Sequence, residues 1–155
     1  MDEFETRLAT LGVSGTRLHT SHAFHSAALD PILDAFAFEV TRTRRAPPSI
    51  PFLSNVTGDW ITTEQVIDAR YWVRHLRETV RFGDGVGRLL QDPQRALLEV
   101  GPGATLGTFA RRHPSLDRRQ LVVGSLPGAD RSRLDDVTML DAVAALDPEM
   151  AQELR

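Results

Sequence analysis

The chain has 155 residues, enough for one ordinary domain, and its 41% apolar and 25% charged content allows a packed core rather than wholesale disorder. Its 18 basic residues are all arginine and are outnumbered by 21 acidic ones, so a net charge of −3 gives no basic footprint for nucleic acid. There is no cysteine, hence no disulfide framework, thiolate zinc site or cysteine nucleophile, and no run of about 18 apolar residues that would span a membrane.

The acidic start, Met1 to Glu5, lacks the apolar stretch of a signal peptide, so the expectation is a soluble cytoplasmic protein. Asp2 to Leu11 is predicted as a short helix, with Phe4, Leu8 and Leu11 on one face and Gly12 as its stop. Thr16 to Thr20 reads as a strand leading toward His25. A longer helix is predicted from Asp30 as N-cap, with Pro31 in its first position and Ile32, Leu33, Phe36, Ala37 and Val40 as its apolar stripe. The run Arg42 to Arg45 followed by Pro47-Pro48 ends it.

Ile50 to Ser54 reads as a buried strand and Asn55 to Gly58 as a turn. Helices are predicted over 68–76 and 82–90. Arg95 to Val100 is a short apolar strand that Gly101-Pro102-Gly103 turns into a helix over 104–112, and Leu121 to Val123 is a last strand. Alternating strands and helices imply an α/β fold with a parallel sheet. After Pro127 the chain changes character, with a helical pattern over 134–146 and a short helix after Pro148.

Three of the five histidines, His19, His22 and His25, are spaced by three. On a helix that spacing would gather them for a metal, but the extended reading of 16–24 separates them, and no acidic residue lies between Glu5 and Asp30. No metal site is expected. Asn55-Val56-Thr57 is a glycosylation sequon, irrelevant in a cytoplasmic chain. Gly101-Pro102-Gly103 lacks the lysine and the later Ser or Thr of a phosphate loop and reads as turn chemistry. Trp60, Tyr71 and Trp72 read as core.

Four strings carry a resemblance. SHAFHSAALDP at 21–31, SNVTG at 54–58, YWVRHLRETVRF at 71–82 and LEVGPGATL at 98–106 resemble, in order and spacing, the C-terminal half of modular polyketide synthase acyltransferase domains, the malonyl-CoA:acyl carrier protein transacylase family. The likeness runs from about residue 3 to about residue 125. It implies an α/β fold, the C-terminal portion of a hydrolase-like large subdomain with a remnant of a ferredoxin-like small one. Residues 1–20 would be that remnant, 21–126 the large-subdomain part, and 127–155 a linker or peripheral helices.

In that family a serine in a Gly-His-Ser-x-Gly elbow attacks the thioester of malonyl-CoA, a histidine takes its proton, and the acyl group passes to the phosphopantetheine thiol of an acyl carrier protein. The resemblance makes His25 the catalytic base and His75 the residue whose backbone carbonyl orients it. His22 to His25, HAFH, matches the tetrapeptide associated with substrate choice, in its malonyl-selecting form; Phe24 fills space that a methyl branch would need. His22 and Phe24 are therefore expected substrate-binding residues. The SNVTG string is expected to form a structural turn near the active-site floor.

No Gly-x-Ser-x-Gly occurs in the 155 residues; Ser14 and Ser125 lack the flanking glycines. Arg7 and Arg17 do not sit in the motif of the family's carboxylate-binding arginine. The expectation is a truncated acyltransferase domain, inactive alone, with no bound cofactor. Its partners would be malonyl-CoA, an acyl carrier protein, and other synthase domains or the missing N-terminal half. The competing expectation is a non-catalytic interaction module that docks to a synthase component or carrier protein.

Overall fold

A computed structural model describes residues 2–15, 20–128 and 133–153. The order is α1 (Asp2–Thr10), a 3₁₀ turn (Ala27–Ile32), α2 (Leu33–Arg42), α3 (Thr63–Ile67), α4 (Ala69–Arg77), α5 (Phe82–Leu90), β1 (Leu97–Pro102), α6 (Thr105–Arg111), β2 (Val122–Leu126), α7 (Asp135–Leu146) and α8 (Pro148–Glu153). The predicted α/β class holds: β1 and β2 run parallel, joined through α6, the crossover that parallel pairing requires. The register pairs Leu97 with Val122 and Glu99 with Gly124, then slips before Pro102 meets Leu126.

The local chemistry explains the helix boundaries. Gly12 takes φ +69°, the left-handed conformation that ends α1. Thr62 and Gln65 form a reciprocal capping box on α3, and the Asp68 carboxylate accepts from the Arg70 N–H to start α4. Of the predicted stripe, Leu33, Phe36, Ala37 and Val40 form the half-buried side of α2, which packs on α4, whereas Ile32 ends the 3₁₀ turn and is exposed. Val86, Leu90 and Ala110 form the core between α5 and α6, with Phe82, Leu97, Leu116 and Val122 against it. Buried Gln120 closes the end of α5, donating to the Leu90 and Asp92 carbonyls and accepting from the Asp117 N–H.

Three expectations need correction. Asp30 does not cap the helix: α2 begins at Leu33 with no side-chain cap, after a 3₁₀ turn that Ser26 caps by accepting from the Ala28 N–H. A serine hydroxyl one residue ahead of two alanines gives a tighter entry than the Asp-Pro pair suggested. Ile50 to Ser54 is not a strand of the parallel sheet; it makes a single antiparallel bridge, Leu53 to Trp60, across the 55–58 turn. The local turn outcompetes sheet pairing there. Residues 20–26 are bends and turns rather than the end of a strand, and the strand expected at Thr16 to Thr20 falls, but for Thr20, outside the described residues.

The tail is not detached. Helix α7 packs on β2 and buries Ala142, and α8 folds back on α7. Helix α1 packs on no other element among the described residues. No helix among them is long and apolar enough to cross a membrane.

Parallel strands are normally covered on both faces. Here Leu97 turns into the core, whereas Leu98 and Val100 on the opposite face of β1 are exposed, Val100 to 82%, as are Leu106 and Phe109 on α6. Exposed apolar side chains on a two-stranded sheet favour association. The 155-residue chain on its own is expected to bind a hydrophobic dye such as ANS and to self-associate. Size-exclusion chromatography and dye fluorescence check this, with Val100→Arg and Phe109→Arg together expected to reduce both signals.

Candidate active site

His25 lies in the turn between Ala23 and the Ser26-capped 3₁₀ turn. Its φ of +55° is a left-handed conformation uncommon for any residue but glycine, though histidine is among those that tolerate it. The surroundings hold it there. The Ser26 hydroxyl donates to the Ala23 carbonyl at 2.6 Å, the Leu29 N–H donates to the Ser26 carbonyl, and Leu29 is buried. An Arg77–Asp30 ion pair ties the 3₁₀ turn to the end of α4.

The half-buried His25 ring reaches α4: its Nδ1 is 3.1 Å from the His75 backbone carbonyl oxygen. That carbonyl belongs to the last turn of α4, where C=O groups have no intrahelical donor. A carbonyl can only accept, so His25 Nδ1 carries the proton and donates it. Neutral His25 therefore keeps its lone pair on Nε2, the form required of a base.

The His75 ring meets that of His25 edge-on, at 6.1 Å between centroids, with Tyr71 at 6.3 Å and Trp72 at 6.1 Å. Burial, and then the charge of His25, hold the His75 imidazole below the ordinary histidine value of 6.5. The far nitrogen of His75, Nε2, is 3.3 Å from the Asn55 side-chain amide nitrogen.

Asn55 is placed by the 54–58 turn. Ser54, 1% exposed, is bound to the Tyr71 hydroxyl at 2.9 Å and accepts from the Val56 and Thr57 N–H groups. The Asn55 carbonyl accepts from the Arg81 N–H, just ahead of α5. Gly58, at φ +72°, lies so close to α5 that a Cβ there would collide with Asp84. Tyr71 is buried as expected of a core aromatic, whereas Trp60 and Trp72 are half-buried, Trp72 donating to the Val66 carbonyl.

The structure thus brings His25 and His75 together. His22 and Phe24 pair with each other, ring centroids 6.1 Å apart, on an exposed stretch of the same loop, with Phe24 59% exposed. His19 lies outside the described residues, and no three His, Asp or Glu side chains gather as a metal group among those described. The Asn55 contact is not visible in the sequence, where SNVTG suggests only a turn; a polar pair ahead of Val-Thr-Gly is the available signal. Glu99 is also not anticipated: its carboxylate accepts from the Leu106 and Gly107 N–H groups at the start of α6.

The chain belongs to the acyl transferase domain family, whose model matches residues 1–126. Among its relatives are polyketide synthases. It is 35% identical over 146 residues to polyketide synthase GfsA of Streptomyces halstedii, covering 94% of this chain and 2% of that one. It is 37% identical over 131 residues to the spectinabilin polyketide synthase system protein NorB of Streptomyces orinoci, covering 83% of this chain and 6% of that one. Among solved structures it resembles the acyl transferase domain of SpnD in complex with 2-(pent-4-yn-1-yl)malonyl (TM-score 0.84, 36% identity, 97% of this chain, 37% of that one). The acyltransferase domain from the second module of the salinomycin polyketide synthase is similar too (TM-score 0.78, 36% identity, 94% and 33%). The chain therefore spans a small fraction of the curated synthases it matches and about a third of these solved domains.

The pH dependence of stability follows from His75. Because its folded value is depressed, the unfolded chain binds the proton more readily, so the contribution is complete above about 6.5 and is lost as pH falls below it. Melting curves between pH 7.5 and 5 should show wild type losing stability faster than His75→Gln.

Proposed function

We propose that this chain supplies the general base of a polyketide synthase acyltransferase domain that moves a malonyl extender unit from CoA to an acyl carrier protein. The observation that carries the reading is the His25 Nδ1 to His75 carbonyl hydrogen bond, which leaves Nε2 free to accept a proton. The family match supports transferase chemistry, and nothing in the match or the site favours the non-catalytic docking module instead. Within this reading residues 1–20 belong to the small subdomain and 21–126 to the large one.

A serine hydroxyl is a weak nucleophile until a base in hydrogen-bond reach takes its proton. These 155 residues hold no Gly-x-Ser-x-Gly, so the nucleophile comes from elsewhere in the domain, in the same polypeptide or a partner. His25 Nε2 takes the serine proton as the oxygen attacks the malonyl thioester, then returns it to the departing CoA sulfur. In the second half it takes the proton of the carrier's phosphopantetheine thiol and gives it back to the serine oxygen. The negative end of α4 beside the ring suits the positive charge formed in each half. No bound cofactor is needed, and the cytoplasm is the setting.

A transfer assay with malonyl-CoA and a carrier protein tests this. In the complete domain His25→Ala should cost about 10²- to 10⁴-fold in rate, and about 0.5–1.5 kcal/mol in stability for one hydrogen bond. The 155-residue chain alone should show no malonyl adduct by intact mass. Near-normal turnover of the variant would remove His25 from the role.

His22 and Phe24, on the loop that carries the base, are the proposed contacts to the acyl group. A phenyl ring beside the α-carbon leaves no room for a methyl branch. In the complete domain Phe24→Ser should shift the malonyl-to-methylmalonyl preference by roughly ten- to a few hundred-fold, the range one apolar contact carries. Competition between the two thioesters reads the ratio directly, and an unchanged ratio would place Phe24 away from the acyl group.

A further inference from the structure

Two imidazoles in edge contact compete for a single positive charge, and the function proposed above requires that His25 be the one to take it. His25 is committed by the His75 carbonyl, which fixes its proton on Nδ1. What commits His75 is on its other side. The Asn55 amide nitrogen, 3.3 Å from His75 Nε2, can only donate, so Nε2 must accept and the neutral ring carries its proton on Nδ1. A second proton on Nε2 would remove that hydrogen bond and set donor against donor.

We propose that Asn55 is a positioning residue for the base: by donating to His75 Nε2 it keeps that ring neutral and leaves His25 as the proton acceptor of the pair. This rests on the reading of His25 as the general base. The direction agrees with the depressed titration of His75, caused first by burial and then by His25.

The charged side chains of the 3₁₀ turn, α4 and α5 are engaged in ion pairs, whereas Asp34 on α2, which packs on α4, makes none among the described residues. Arg74 pairs with Glu78 and Arg77 with Asp30, while Arg81 pairs with Asp84 and Arg88 with Asp59. Tyr71 is tied to Ser54, and His22 to the Ser21 hydroxyl. Among the described residues Asn55 is thus the polar side chain on His75 Nε2 whose donor character decides where the proton goes. Its place depends on the turn that Ser54 builds, so the amide is held on a fixed backbone.

The test uses the 155-residue chain with ¹⁵N-labelled histidine and reads ring tautomers and titration by NMR. In wild type His75 should be neutral at pH 7, protonated on Nδ1 and bare on Nε2. Asn55→Asp replaces the neutral donor with a negatively charged acceptor: His75 should shift its proton to Nε2, and its titration midpoint should rise by about one pH unit or more. Asn55→Ala should release the constraint, so that the Nε2–H form appears without the full rise. A dispersed amide spectrum establishes folding, and the wild-type tautomer stands as a test even where a variant fails to fold. His75 carrying its neutral proton on Nε2 in wild type, or a midpoint unmoved in folded Asn55→Asp, would overturn the proposal. The readout needs no acyl transfer, so normal transfer by His25→Ala would sink the base assignment while leaving the tautomer result intact.

Discussion

A single hydrogen bond, from the His25 ring to the last turn of α4, sets the terms for the rest of the site. It joins positions fifty residues apart, and it can form only if the loop ahead of the 3₁₀ turn is bent sharply enough to bring the imidazole to the helix end. The positive φ of His25, the Ser26 cap and the buried Leu29 are the local means of that bend. The acceptor is equally conditioned, since a carbonyl further back in α4 would be spent within the helix. The position of the helix stop at Glu78 is therefore a determinant of the imidazole's orientation.

A second tier of contacts holds α4 and the 54–58 turn together. Ser54 is the smallest of the polar groups involved and the most deeply buried, and it is bound to a phenol while accepting from two peptide N–H groups. An unsatisfied hydroxyl in that place would cost about 1–3 kcal/mol. The turn thus has a fixed height above α4, and Asn55 inherits it. Polar satisfaction acts here together with the burial of Val56, Val66 and Tyr71, while a separate aliphatic cluster lies between α5 and α6.

Much of this is legible in the sequence because it is written locally. Gly12, Asp68 and the apolar periodicity of 82–90 each specify a boundary within a few residues, and the helices start and stop near where those signals lie. Signals that compete over distance mislead. Ile50 to Ser54 has the composition of a buried strand, yet its backbone is taken by the turn that follows, and nothing in five apolar-rich residues announces that Asp59 and Trp60 will claim it. Ser26 is hidden as a cap because Asp30-Pro31 is the stronger local pattern. In the site, the resemblance supplies His25 and His75, but the amide that reaches His75 comes from twenty residues away and has no periodicity to betray it.

Gly58 shows how far such a site extends beyond its imidazoles. Tyr71 holds the turn through Ser54, and on the α5 side Asp84 leaves position 58 no room for even a methyl group. The turn is a shim whose thickness is set by an absent side chain. Any residue with a Cβ there would have to push α5 away or tip the turn toward α4, and the tip would be felt at the amide before anything else. The gap between two protonation sites is thus gauged by a residue that carries no proton, no charge and no side chain.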